Sequence, residues 1–183
     1  MSELIQNGLD NSKRIIDRAI EGLTPAELKW QPRPDANSIG LILFHCIRSE
    51  DLGIHRLQRK PQLWESEKLY QRFSKAIDDI GAHYSAEQVA SFVVPHLKEM
   101  LAYAEAVRNN TLTYLKGLKP NDYDEKVILP PRPIQLATPA GRPFPPRPSS
   151  QLVGSMLMHE VTHLSEHAGE ISYIRGLQRG MDK

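Results

Sequence analysis

Ser38-Ile39-Gly40-Leu41-Ile42-Leu43-Phe44-His45-Cys46-Ile47 reads as the opening of a long helix turned towards a core. Ser38 is a good N-cap, because a serine oxygen accepts from an otherwise unpaired N–H of the first turn. The apolar positions Leu41, Ile42, Phe44, Leu52 and Leu57, with His45 among them, form a continuous packing face, and Pro61 ends the helix near Arg59. Gly40 and Gly53 weaken it only locally. The run from Leu41 to Ile47 is far too short to cross a bilayer, so this face has to be buried in protein.

Similar patterns flank it. Leu4, Ile5, Leu9, Ile15, Ile16, Ala19, Ile20 and Leu23 recur at helical spacing and predict a first amphipathic helix from Ser2 to Leu23. Thr24, Pro25 and Glu27 then form a capping box for a short turn around Leu28 and Trp30, and Pro32 and Pro34 force an extended connection. Residues 61–84 are mixed, with Trp64, Leu69, Phe73 and Ile77 marking short packed pieces. Ser85 with Gln88 starts a short helix. Pro95 opens a third long helix to about Leu118, with Leu97, Leu101, Ala104, Val107, Leu112 and Leu115 inward.

Nine of the fourteen prolines fall between Pro120 and Pro148. That segment is not helical, and Val127-Ile128-Leu129 is at most a short strand. Its length and its apolar members, Ile134, Leu136 and Phe144 included, predict a wall or lid packed over the bundle or against a second subunit rather than a solvated linker. Ser149 or Ser150 is expected to cap the last helix, which runs to about Arg179 before Gly180. The fold class is all-α: a single domain, residues 1–183, built as a four-helix bundle with one long Pro-rich loop before the last helix.

That last helix carries His159-Glu160-Val161-Thr162-His163-Leu164-Ser165-Glu166-His167. Residues four apart on a helix stand about 40° apart and about 6 Å along the axis, so two such imidazoles can hold one metal ion. A third from another helix, such as His45, completes a facial set. A lone histidine on an apolar face is ordinarily a satisfied core residue. His45, however, needs partners for both ring nitrogens, and a shared metal supplies one.

Other chemistry is less well supported. Cys46 points about 100° away from His45 and reads as a core thiol. Arg48, Glu50 and Asp51 read as the solvated face of the second long helix, and Glu166 as a surface carboxylate; His55, His83 and His96 are isolated. The net charge of +1, from 23 basic and 22 acidic residues, gives no reason to expect nucleic acid or an anionic membrane as partner. One cysteine excludes an internal disulfide, and the N-terminal stretch lacks the basic start and unbroken apolar core of a signal peptide. A cytoplasmic location is expected, with a small-molecule substrate as partner and a homodimer admitted.

The stretch Asn37 to His45 resembles the second helix of DinB/YfiT-like proteins. His159-Glu160-Val161-Thr162-His163-Leu164-Ser165-Glu166-His167-Ala168-Gly169-Glu170-Ile171 resembles their last helix, which ends His-x-Gly-Gln-Ile or a near variant. The likeness covers essentially the whole chain in helix order. It implies a bundle holding one divalent metal, zinc or nickel, through a histidine of the second helix and two residues four apart on the last: here His45, His163 and His167. His159 is the rival ligand, about 80° round from His167, and is expected to line the pocket. Ala168 stands where Arg is frequent and Glu170 where Gln is frequent. Glu170, three residues from His167, is placed to orient an imidazole N–H or hold a proton, so Glu170 and His159 are the candidate catalytic residues. The resemblance further implies a metal-dependent enzyme, first of all a thiol-dependent S-transferase acting on a small electrophile with a low-molecular-weight thiol as cosubstrate. The alternatives are a metal-dependent hydrolase and a non-catalytic metal-binding stress-response module.

Overall fold

The computed structural model describes residues 1–129 and 149–180. Four long helices make the bundle: α1 (Ser2–Ile20), α3 (Ile39–Gln58), α7 (Leu97–Gly117) and α8 (Val153–Arg179). Four shorter ones, α2 (Pro25–Lys29), α4 (Leu63–Ser66), α5 (Leu69–Arg72) and α6 (Ala86–Ala90), fill the connections. The long helices pack in the cyclic order α1, α8, α3, α7, with α1 and α3 across the diagonal.

The local start signals act as their chemistry requires. The Ser38 hydroxyl accepts from Leu41 N–H, and both arms of the capping box are present at Thr24/Glu27 and at Ser85/Gln88. On α1 the buried residues Ile5, Leu9, Ser12, Ile16, Ala19 and Ile20 form one stripe. Close approach to α8 depends on small residues. A Cβ on Gly8 would stand 2.5 Å from Val161 Cγ1, and Ser12 and Ser165 meet oxygen to oxygen at 2.9 Å.

Three expectations need correction. Ser149 and Ser150 do not cap the last helix. They lie in β2 (Ser149–Leu152), which pairs antiparallel with β1 (Lys126–Leu129), Val127 opposite Gln151. The helix therefore begins later, at Val153, whose N–H donates to Glu125 O at 2.9 Å. On α7 the inward residues are Met100, Tyr103, Val107, Thr111 and Leu115, while Leu101 is exposed; the buried hydroxyls of Tyr103 and Thr111 turn the face.

The third correction is the largest. Arg48, Glu50 and Asp51 are buried rather than solvated. Asp51 accepts from the backbone N–H groups of Leu63 and Trp64, from Arg48 and from the Tyr103 hydroxyl. His55 is no isolated residue either, because its Nδ1 lies 2.7 Å from Asp51 Oδ1. Glu50 accepts two hydrogen bonds from Arg108, at 2.8 and 2.9 Å, and a third from Thr111 at 2.8 Å. Buried charges persist only when paired in this way. The expected lid falls largely on residues 130–148, outside the described residues. Its near flank opens with a short 3-10 turn at Pro120–Asp124, where no helical turn was expected.

Candidate metal centre

His45 on α3 and His163 and His167 on α8 come together between the two helices, with one ring nitrogen of each within 4.8 Å of the others. His45 Nε2 lies 3.0 Å from His163 Nε2, and His167 Nε2 lies 3.1 Å from the same atom. The rings stand nearly edge to face, at 80° to 90°, so they converge on a point instead of stacking.

The outward nitrogens fix which inward ones carry hydrogen. Ile80 O lies 2.9 Å from His45 Nδ1; a carbonyl only accepts, so Nδ1 holds the hydrogen and Nε2 is bare. Glu170 Oε2 does the same for His167 Nδ1 at 2.7 Å. Two lone pairs thus face the third imidazole, an arrangement that a shared cation satisfies. His163 Nδ1 is buried and has no hydrogen-bond partner among the described residues. Burial holds His45 below the usual imidazole range. Burial and then the neighbouring His167, His45 and His159 bring His163 down to about 4. Neutral imidazole is the ligand form, so the donor set fits a borderline cation such as zinc or nickel.

Residues that sequence reasoning missed hold His45 in place. Gly81 has φ +68, and a Cβ on it would meet Phe44 Cδ1 at 2.8 Å and His45 Cα at 3.1 Å. A glycine is required for this loop to press against α3 and present Ile80 O. Arg48, one turn beyond Phe44, donates Nε–H to Asp79 O at 3.0 Å, while the Asp79 carboxylate accepts from Gly81 N–H and the Tyr84 hydroxyl. The Asp79-Ile80-Gly81 run was the available signal: an Asp two residues before a glycine is turn chemistry.

The remaining candidates are placed as follows. His159 is exposed and stands outside the three-nitrogen cluster, its ring centroid 5.9 Å from that of His163. Glu166 is exposed. Cys46 is buried, and burial pushes its thiol well above the ordinary range. His96 caps α7 through Nδ1, and His83 is exposed. Among the described residues no helix is long and apolar enough to cross a membrane.

No curated protein matches the chain. Among solved structures, the crystal structure of a conserved protein from Enterococcus faecalis shares the fold with a TM-score of 0.75, covering 97% of this chain and 96% of that one at 22% identity. The family model of the DinB superfamily matches residues 9–171, nearly all of the four helices and all three clustered histidines, and the chain belongs to that superfamily.

Proposed function

We propose that this protein is a divalent-metal-dependent enzyme that transfers a small thiol to an organic electrophile, with His45, His163 and His167 as the metal ligands. The convergence of three imidazole nitrogens from two helices is the observation that carries this reading. When bound, the ion supplies an electrophilic centre that lowers the pKa of a thiol or water towards neutrality. The chain's own part is to keep that centre open on one side. Three ligands from α3 and α8 leave coordination positions free, and Glu170 and Ile80 O fix the two rings whose lone pairs face inward.

In the transfer the thiol sulfur forms a bond to an electrophilic carbon, whose leaving group departs with its bonding electrons. The proton released from sulfur passes to solvent through His159, the exposed imidazole one turn from His163. Glu170 is a positioning residue here, acting on His167 Nδ1. A low-molecular-weight thiol is thus the cosubstrate.

The test is loss of a model electrophile, 1-chloro-2,4-dinitrobenzene, by zinc- and nickel-loaded protein purified without a histidine tag, with and without a panel of thiols. Turnover that needs both thiol and metal supports the reading. Loss of electrophile with metal but no thiol would replace it with hydrolysis. No turnover with any thiol, together with a large drop in melting temperature on chelation, would leave a structural metal site in a non-catalytic module.

A further inference from the structure

A cavity of about 210 Å³ opens between α3 and α8, starting one helical turn from the histidines. His159 and Ser49, four residues from His163 and His45, lie on its wall; Leu9 and Leu157 give it apolar surface. The space exists because α8 interrupts its own core stripe. Leu157 and Leu164 are buried, and between them Glu160 turns inward where an aliphatic side chain would fill the gap.

Glu160 is the anomaly of this cavity. Its Oε1 is sealed from solvent and has no hydrogen-bond partner among the described residues. Arg108, a largely buried cation whose charge acts on it, makes two hydrogen bonds to Glu50 and keeps Nη1 buried without a hydrogen-bond partner among the described residues; Thr111 donates to the same Glu50 carboxylate. Arg56, also on the wall, is exposed. The carboxyl also has room made for it, since a Cβ on Gly53 would stand 3.2 Å from Glu160 Oε2. A buried carboxyl oxygen without a donor is expensive, and a donor carried in by a ligand relieves it.

We propose that this cavity binds the organic part of the substrate and that Glu160 receives a primary ammonium group carried a few atoms from the reacting centre. Glu160 and His163, three apart on one helix, have Cβ atoms about 5–6 Å apart, so one short amine-bearing molecule spans both. The apolar wall takes its hydrocarbon portion. This deepens the reading of the histidine site as an enzyme site by naming a substrate class, but the binding event needs neither the metal nor the reaction.

Benzylammonium, which has no thiol and no electrophilic carbon, is the probe. It is titrated into the full-length protein, metal-free and zinc-loaded, and followed by backbone amide chemical shifts. Benzyl alcohol and benzoate serve as neutral and anionic partners of similar shape. The expected result is binding of the cation in both states, with shifts concentrated at Gly53, Thr111 and Leu157. Glu160→Gln is expected to weaken it by about tenfold or more and to leave benzyl alcohol nearly unchanged. Gly53→Ala, which keeps every charge but crowds the carboxyl, weakens it too. No binding of the cation, equal binding to Glu160→Gln, or a preference for benzoate overturns the proposal. Failure of thiol transfer would not produce any of these outcomes, so the two readings fail separately.

Discussion

Replacing Glu160 by Gln should stabilise the protein, and by an amount that grows with pH. In the folded state burial, followed by the nearby Glu50, pushes this carboxyl up from 4.5 to about 8, with Arg108 opposing. Unfolded chain releases the proton near the ordinary value, so between the two the folded state binds more protons. Stability then falls as pH rises through that window. At about 1.4 kcal/mol per pH unit the full span corresponds to roughly 4–5 kcal/mol. Water entry and side-chain rearrangement on ionisation reduce this to on the order of 2–3 kcal/mol. Gln has the shape of the protonated acid and does not titrate, so wild type and variant should nearly coincide at pH 5. By pH 8–9 the variant should lead by roughly 5–10 °C in melting temperature, at about 2–4 °C per kcal/mol for a chain of this size. Thermal denaturation of both proteins across pH 5–9, plotted as the difference, checks this. A difference that does not change with pH, or a wild type that gains on the variant as pH rises, would refute the reading of Glu160 as a half-buried acid with its Oε1 sealed and unpaired.

His45→Ala, His163→Ala and His167→Ala should each lose most bound metal with helical circular dichroism retained, and His159→Ala should be milder. Equal metal loss in the His159 variant, with none in the His167 variant, would show the wrong pair on α8. Glu170→Gln keeps the fold but should weaken zinc about 10- to 100-fold in competition with a chromogenic chelator, because Gln no longer offers a carboxylate to His167 Nδ1. Asp51→Ala should cost about 3–5 kcal/mol in urea denaturation, since it strands buried Arg48 and two backbone N–H groups; a cost below about 1 kcal/mol would mean the network is solvated after all. Gly81→Ala should destabilise by about 1–3 kcal/mol and loosen metal binding together. Gly169→Ala, where a Cβ meets nothing within 4 Å, should stabilise α8 by up to about 1 kcal/mol.

Legibility followed the range of the interaction. The starts of α2, α3 and α6 were readable because a cap is made within three residues of itself, and the histidine spacing was readable because one helix turn fixes it. The polar residues of α3 were misread because most of their partners lie far away in sequence: Arg48 meets Asp79 and Tyr103, Asp51 meets Trp64, and Glu50 meets Arg108 and Thr111. A charged triplet on a helix looks solvated until other segments supply its hydrogen-bond partners, of which Arg108 alone brings an opposite charge. The inward face of α7 was read only in part: Val107 and Leu115 are buried and Leu97 and Ala104 pack on the core as expected, but Tyr103 and Thr111 are buried by what their hydroxyls bind and Leu101 is exposed. Ser149 and Ser150 have the chemistry of caps, but their strand partners, Leu129 and Ile128, lie about twenty residues earlier in the chain.

The three histidines are held by unequal means, and that inequality bears on which of them sets the site. His45 is half-buried and fixed through a loop that is itself tied to α3 by the buried Arg48 and made possible by Gly81. His167 is fixed by Glu170, an exposed residue on its own helix. An exposed hydrogen bond of that kind contributes little to folding, so Glu170 can be altered without loss of structure, whereas the Asp79–Gly81 loop cannot be moved without disturbing the core around Phe44. In the proposed site the ligand on α3 is therefore rigid and one on α8 adjustable. On that proposal Glu170, where the resembling motif has Gln, is the position that would tune the basicity of a ligand, while Glu160 and the cavity beside it would govern what is admitted.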